Sequence, residues 1–163
     1  MAQEIERKFL VTGDGWRAEA GDGERFRQGY MIGGDKASVR VRVSGDRAWL
    51  NIKSATIDVS RHEFEYRIPV GDAEEMLDLL CEKPLVEKCR YWVPYGDHTW
   101  EVDCFEGENA GLVVAEVELT RPDEAISLPP WVSREVSHLP RYYNVCLVEH
   151  PYSRWSEQER QGL

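Results

Sequence analysis

Apolar and charged residues alternate one for one along much of this chain, and such a pattern suits only strands whose two faces differ in kind. Residues 61–69, Arg-His-Glu-Phe-Glu-Tyr-Arg-Ile-Pro, show it most clearly. Phe64, Tyr66 and Ile68 share one face, and Glu63, Glu65 and Arg67 share the other. The first ten residues do the same, with Glu4, Glu6 and Lys8 against Ile5, Arg7 and Phe9. An ordinary half-buried strand opposes its apolar face with mixed polar residues. Here the opposing face carries only charge, of both signs.

Six further stretches extend the design. Residues 24–32 place Phe26, Gln28 and Tyr30 together, and a turn is expected at Gly33–Asp35. Residues 36–43 oppose Ser38, Arg40 and Arg42 to Val39, Val41 and Val43. After Ser44-Gly45-Asp46 the chain returns through 47–53, where Asn51 and Lys53 oppose Leu50 and Ile52, so these two read as a hairpin. Lys88 and Arg90 share a face in 85–93, Glu101 and Asp103 in 99–105, and Glu116 and Glu118 in 112–120. One mid-chain segment changes period. From Asp72, expected as N-cap, to Cys81, apolar residues fall at 76, 77, 80 and 81, which is helical spacing. Beyond Pro129-Pro130, short helical patterns are expected at Trp131–Ser137 and Tyr142–Val148, and Ser156–Leu163 as a frayed tail outside a single domain spanning 1–155.

A chain of 163 residues is long enough for one domain with a sizeable core. The net charge of −10 argues against a nucleic-acid partner held by bulk electrostatics and is compatible with metal cations. No apolar run approaches the ~18 residues of a membrane span, and the N-terminus lacks an apolar h-region, so a cytoplasmic protein without a membrane partner is expected. Cys81, Cys89, Cys104 and Cys146 show no zinc-ligand spacing and read as reduced thiols. The four histidines are scattered and read as structural or solvated.

The charged faces admit two architectures. A β-sandwich would leave them in solvent. Yet same-sign neighbours repel, and pairs such as Glu4/Glu6, Arg40/Arg42 and Glu116/Glu118 call for counter-ions. The other architecture is mainly β (α+β): a closed eight-stranded antiparallel β-barrel forming a charged tunnel, with one mid-chain helix and short C-terminal helices packed outside. A phosphate chain suits such a lumen, because Arg forks bind phosphate oxygens and Mg²⁺ takes a few carboxylates plus substrate phosphates.

Glu4-x-Glu6-x-Lys8 resembles the E-x-E-x-K signature of the CYTH superfamily, the triphosphate tunnel metalloenzymes. Ser38-Val-Arg40-Val-Arg42, Asn51-Ile-Lys53, Arg61-His-Glu63-Phe-Glu65, Lys88-Cys-Arg90, Glu101-Val-Asp103 and Glu116-Val-Glu118 are similar to its later motifs, in order. So is the tail from Pro129-Pro-Trp131 through Glu135-Val136 to Tyr142-x-Asn144, and the likeness is strongest to compact bacterial members acting on inorganic triphosphate. The resemblance implies an eight-stranded tunnel and metal-dependent triphosphate hydrolysis with one or two Mg²⁺ or Mn²⁺ ions. Glu4, Glu6, Glu116 and Glu118 would bind metal. Lys8, Arg40, Arg42, Lys53, Lys88 and Arg90 would bind phosphate, with Glu63, Glu65, Glu101 and Asp103 as supporting acids. Tyr30 would lie near Lys8, and the two would form the catalytic pair.

On chemical grounds the cations hold the phosphate chain in register while a water attacks in line. A lumen carboxylate or a metal-activated water would serve as base, and Lys8, among other cations, is expected to have a lowered pKa. Other readings are a class IV-type adenylate cyclase, a thiamine or nucleoside triphosphatase, and a polyphosphate-binding module without turnover. An exposed barrel wall with Trp and Tyr nearby permits a homodimer.

Overall fold

A computed structural model of the chain describes residues 3–33, 35–56 and 58–163. Met1 and Ala2 of the first expected strand, and Gly34 of the turn expected at Gly33–Asp35, lie outside the described residues.

The alternating segments form β1 (Gln3–Val11), β2 (Glu24–Gly33), β3 (Ala37–Ser44), β4 (Arg47–Ser54), β5 (Ser60–Arg67), β6 (Val86–Tyr95), β7 (His98–Phe105) and β8 (Val113–Glu118). In space they run β5-β4-β3-β2-β6-β7-β8-β1, and β1 pairs back onto β5, so these eight antiparallel strands close into a barrel. β1 makes the closure. One of its edges holds β8, with Glu6 opposite Glu118 and Lys8 opposite Glu116. The other edge is shared: Gln3–Ile5 pair with β5, and Phe9 and Val11 pair with a ninth strand, β9 (Val132–Glu135).

β9 corrects the helical expectation for residues 131–137. β1 outruns its pairing with β5, and its open backbone edge recruits the segment as a strand. The Arg7 guanidinium fixes it by donating to both Glu135 carboxylate oxygens, at 3.0 and 2.7 Å.

Outside the barrel the apolar faces need covers. Phe9, Trp100 and Trp131 meet edge to face, with centroids 5.4 and 5.9 Å apart, in a cluster that also buries Trp16 and Val117. The mid-chain helix α1 (Val70–Leu79) lays Ala73 and Leu77 on Val41, Val43 and Ala48. Pro69 rather than Asp72 caps it, so the helix starts earlier than expected and Asp72 sits in its first turn, where a carboxylate favours the helix dipole.

At one end the inward-facing positions themselves turn apolar, at Val86, Phe105 and Val114. There the chain after β9 packs Val136, Tyr142, Leu147 and Trp155 against them. The helix α2 (Cys146–Glu149), through Leu147 and Val148, therefore helps close an end of the barrel, and a second short helix, α3 (Glu157–Arg160), follows Trp155. Ser156–Leu163, expected as a frayed tail, carries α3. Ser156 and Glu159 form a reciprocal capping box, and Arg141 donates to the carbonyls of Glu159 and Leu163. No helix among the described residues is long and apolar enough to cross a membrane.

Candidate functional site

Closure turns the charged faces inward around a cavity of about 180 Å³. Every side chain singled out from the sequence lines it, except Asp103. Its two sides differ in charge.

On the acidic side, β1 lies between β5 and β8 and brings Glu4, Glu6, Glu116 and Glu118 together. Lys8 Nζ donates to Glu116 Oε1 at 2.7 Å and Glu6 Oε1 at 3.2 Å. Lys53 Nζ bridges Glu4 and Glu63 at 2.8 and 3.1 Å. These cations do not offset all the negative charge. Burial and the neighbouring Glu116 push the Glu6 carboxyl up, and burial together with Glu101 and Glu6 does the same to Glu118. Glu101 is also raised, by burial and then Glu116, against the opposing pull of Arg90. Glu116, by contrast, is held well below the usual range: burial would raise it, but Lys8 and Arg90 outweigh burial.

Lys8 departs from expectation. Burial favours its neutral form, but Glu116 and Glu6 overcome that and hold its pKa above the ordinary lysine value. It was expected among cations and instead sits among anions. The aromatic ring against it is that of Tyr143, 4.8 Å from Nζ, whereas Tyr30 lies opposite Arg40 on β3.

On the basic side, β3 contributes Arg40 and Arg42. Arg40 Nε is buried without a hydrogen-bond partner among the described residues. Arg42 Nε donates to a neutral acceptor, Gln28 Oε1, at 2.8 Å, and the guanidinium stacks 4.5 Å from the Phe26 ring. Burial first, then Arg40 and Arg90, push the Arg42 pKa down to about 9. Such a pair calls for an anion.

Asp103 is fully buried in the wall behind these cations. It accepts from Lys88 Nζ at 2.7 Å and from Arg90 Nε and Nη2 at 2.7 and 2.9 Å. Burial would raise its pKa, but Arg90 and Lys88 overcome that and hold it at about 2. Lys88 is pushed down to about 7 by burial and by Arg90 and Arg42, against the pull of Asp103.

Five cavity residues carry no predicted role: Ser38, Arg61, Tyr143, Asn144 and Val145. Arg61 donates to Glu4 at 3.3 Å and stacks on Tyr143, 5.1 Å away. The alternation of Arg61, Glu63 and Glu65 on β5 already pointed it inward. Ser38 shares the inward face of Arg40 and Arg42. Tyr143 and Asn144 come from the irregular segment after β9, where no periodicity marks an inward side chain.

A closed antiparallel barrel whose lumen divides between carboxylates and guanidinium groups defines a tunnel that can hold a polyanion and cations together. The chain belongs to the CYTH domain family, whose pattern matches residues 2–143. It is 48% identical over 157 residues to the inorganic triphosphatase of Acetivibrio thermocellus, covering 96% of this chain and all of that protein. To the inorganic triphosphatase of Nitrosomonas europaea it is 38% identical over 153 residues, covering 89% of this chain and 96% of the relative. A crystal structure of an inorganic triphosphatase superposes with a TM-score of 0.64 at 34% identity, covering 91% of this chain and 95% of that one. A Pyrococcus horikoshii protein at 21% identity, with a TM-score of 0.55 over 74% of this chain and 81% of its own, shares the fold.

Proposed function

We propose that this chain hydrolyses inorganic triphosphate to pyrophosphate and phosphate within the barrel, with a divalent cation, Mg²⁺ or Mn²⁺, on the acidic side. The observation that carries this reading is the divided lumen: a carboxylate cluster in which burial and neighbouring acids raise Glu6 and Glu118 faces two arginines that form no ion pair among the described residues. The relatives named inorganic triphosphatases support it.

The acids suit a hard cation. Glu4, Glu6, Glu116 and Glu118 offer carboxylate oxygens, the donors Mg²⁺ and Mn²⁺ prefer, and the repulsion among them is what a cation would relieve. Among the described residues no three acids stand close enough to hold an ion alone, which fits a site completed by phosphate and water. When bound, the cation supplies charge neutralisation at the phosphate oxygens and acidifies a water.

The chain's own residues do the rest. Arg40 and Arg42 grip phosphate oxygens in place of the missing acids. Lys88 and Arg90, anchored from behind by Asp103, present their remaining N–H groups to the lumen. Lys8 keeps its proton between Glu6 and Glu116 and acts as a cation, not a base. Glu101, which lines the lumen outside the carboxylate set proposed for the cation and whose carboxyl burial raises, can take the proton of the attacking water. Tyr30 lines the lumen beside the arginines, where its hydroxyl can meet the phosphate chain.

The test is product analysis. Purified protein is incubated with inorganic triphosphate, and separately with ATP, in Mg²⁺, Mn²⁺ or EDTA. Phosphate plus pyrophosphate from triphosphate, lost in EDTA, is expected. Cyclic AMP from ATP, or binding without turnover, would reject the reading.

Binding should also take up a proton. Free Lys88 titrates at about 7, so it is largely neutral near pH 8, and a phosphate favours its ammonium form. Calorimetry of triphosphate binding in two buffers of different ionisation enthalpy, with EDTA present, reads that proton. The Lys88→Met variant should take up less, and equal uptake by the two proteins near pH 8 would remove Lys88 from the phosphate contacts.

A further inference from the structure

The segment after β9 reaches the lumen with one polar oxygen that nothing in the barrel's alternation accounts for. Asn144 Oδ1 accepts from Lys88 Nζ at 2.9 Å and from Gln28 Nε2 at 2.7 Å. Gln28 is fully buried, and its own Oε1 accepts from Arg42 Nε at 2.8 Å. A single side chain outside the barrel strands thus touches a cation on β6 directly and a cation on β3 through one relay.

We propose that Asn144 is a positioning residue that aims Lys88 and, through Gln28, Arg42 at the phosphate chain of the substrate. This rests on the function proposed above. The donor count gives the reason. In the ammonium form that a phosphate favours, Lys88 has three N–H bonds; Asp103 takes one and Asn144 another, so the third is left pointing in a defined direction. Arg42 spends Nε on Gln28, which turns the outer edge of its fork toward the lumen that it lines. A guanidinium only donates, so Arg42 needs the Oε1 of Gln28. The Gln28 NH₂ donating to Asn144 selects the orientation that offers Oε1 to Arg42. Asn144 is neutral, so it orients both cations without cancelling charge the phosphate needs. An aspartate there would hold Lys88 but compete with the substrate for it.

The test is calorimetric binding of inorganic triphosphate in EDTA, with steady-state kinetics in Mg²⁺ alongside. Asn144→Ala should weaken binding on the order of tenfold, the cost of a misdirected charged hydrogen bond, and raise KM about as much while kcat changes little. In a Gln28→Met/Lys88→Ala background, where both routes are already cut, the same substitution should have almost no further effect. Equal losses in both backgrounds, or no loss in the wild-type background, would overturn the inference. If Asn144→Ala does not fold, the near-isosteric Gln28→Met cuts the Arg42 route alone. It should weaken binding several-fold, and unchanged affinity would overturn the inference. Absence of binding by the wild-type protein would reject the proposed phosphate side and this inference with it, whereas wild-type binding that Asn144→Ala leaves intact rejects only the inference.

Discussion

Replacing Glu6 with glutamine is expected to lower triphosphate turnover by on the order of a thousandfold while leaving the metal-free protein as stable as the wild type, or more so. The two effects have opposite origins. In the proposed reaction Glu6 supplies a charged oxygen to the cation, and an amide supplies only a dipole. In the folded protein without a cation, the same carboxylate is buried beside Glu116 and Glu4, both of which push its pKa up. Its charge is therefore a burden on the fold. Lys8 would not lose its partners, because Glu116 holds it at 2.7 Å and a glutamine oxygen can still accept at position 6. Initial rates in Mg²⁺ and thermal melts in EDTA read the two sides separately. Retained turnover would remove Glu6 from the metal site, and a large loss of stability would show that the Lys8 contact, not the repulsion, dominates.

Asp103→Ala should do the reverse and break the fold first. Asp103 has no exposed surface, and among the described residues it alone forms ion pairs with both Lys88 and Arg90. Removing one partner from a buried ion network leaves the others uncompensated, at a cost of roughly 3–5 kcal/mol. For a domain of this size that is a fall in Tm of roughly 10 °C. The pH dependence carries the same signature. The folded-state pKa is about 2, below the ordinary 3.8, so the carboxylate's contribution is fully present above the ordinary value and disappears as pH falls through about 2. Wild-type protein should lose stability over that acid window, and the variant should lose less of it. Melts taken from neutral pH down to about pH 2 compare the two slopes; parallel curves would mean that Asp103 is not the group responsible.

Much of this is legible in the sequence alone. A two-residue period is a local property, so the inward set on each strand followed from spacing alone: Glu4, Glu6 and Lys8 on β1, Arg40 and Arg42 on β3, Glu116 and Glu118 on β8. Arg61 obeyed the same period and could have been counted with Glu63 and Glu65. Residues 131–137 misled because local spacing there is ambiguous, and an unpaired edge of β1 decided the outcome. Ser156–Leu163 misled for a similar reason: its helix rests on Arg141 and Tyr142, which are remote in sequence but donate to the Glu159 carbonyl.

The sequence by itself determined which side chains share a face of each strand, because pleating assigns every second residue to one face. It could not say which charges would meet. Whether Lys8 falls among cations or anions depends on which strands flank β1, and pairing with β8 put Glu116 against it. Whether Asp103 lines the lumen or stands in the wall depends on how Lys88 and Arg90 fold back over it. Which tyrosine reaches Lys8 depends on where the chain after β9 enters the barrel. Electrostatic character is set by distance and burial in three dimensions: pairing of β1 with β8 brings Glu116 to Lys8, and closure of the barrel onto β5 encloses both with Glu6.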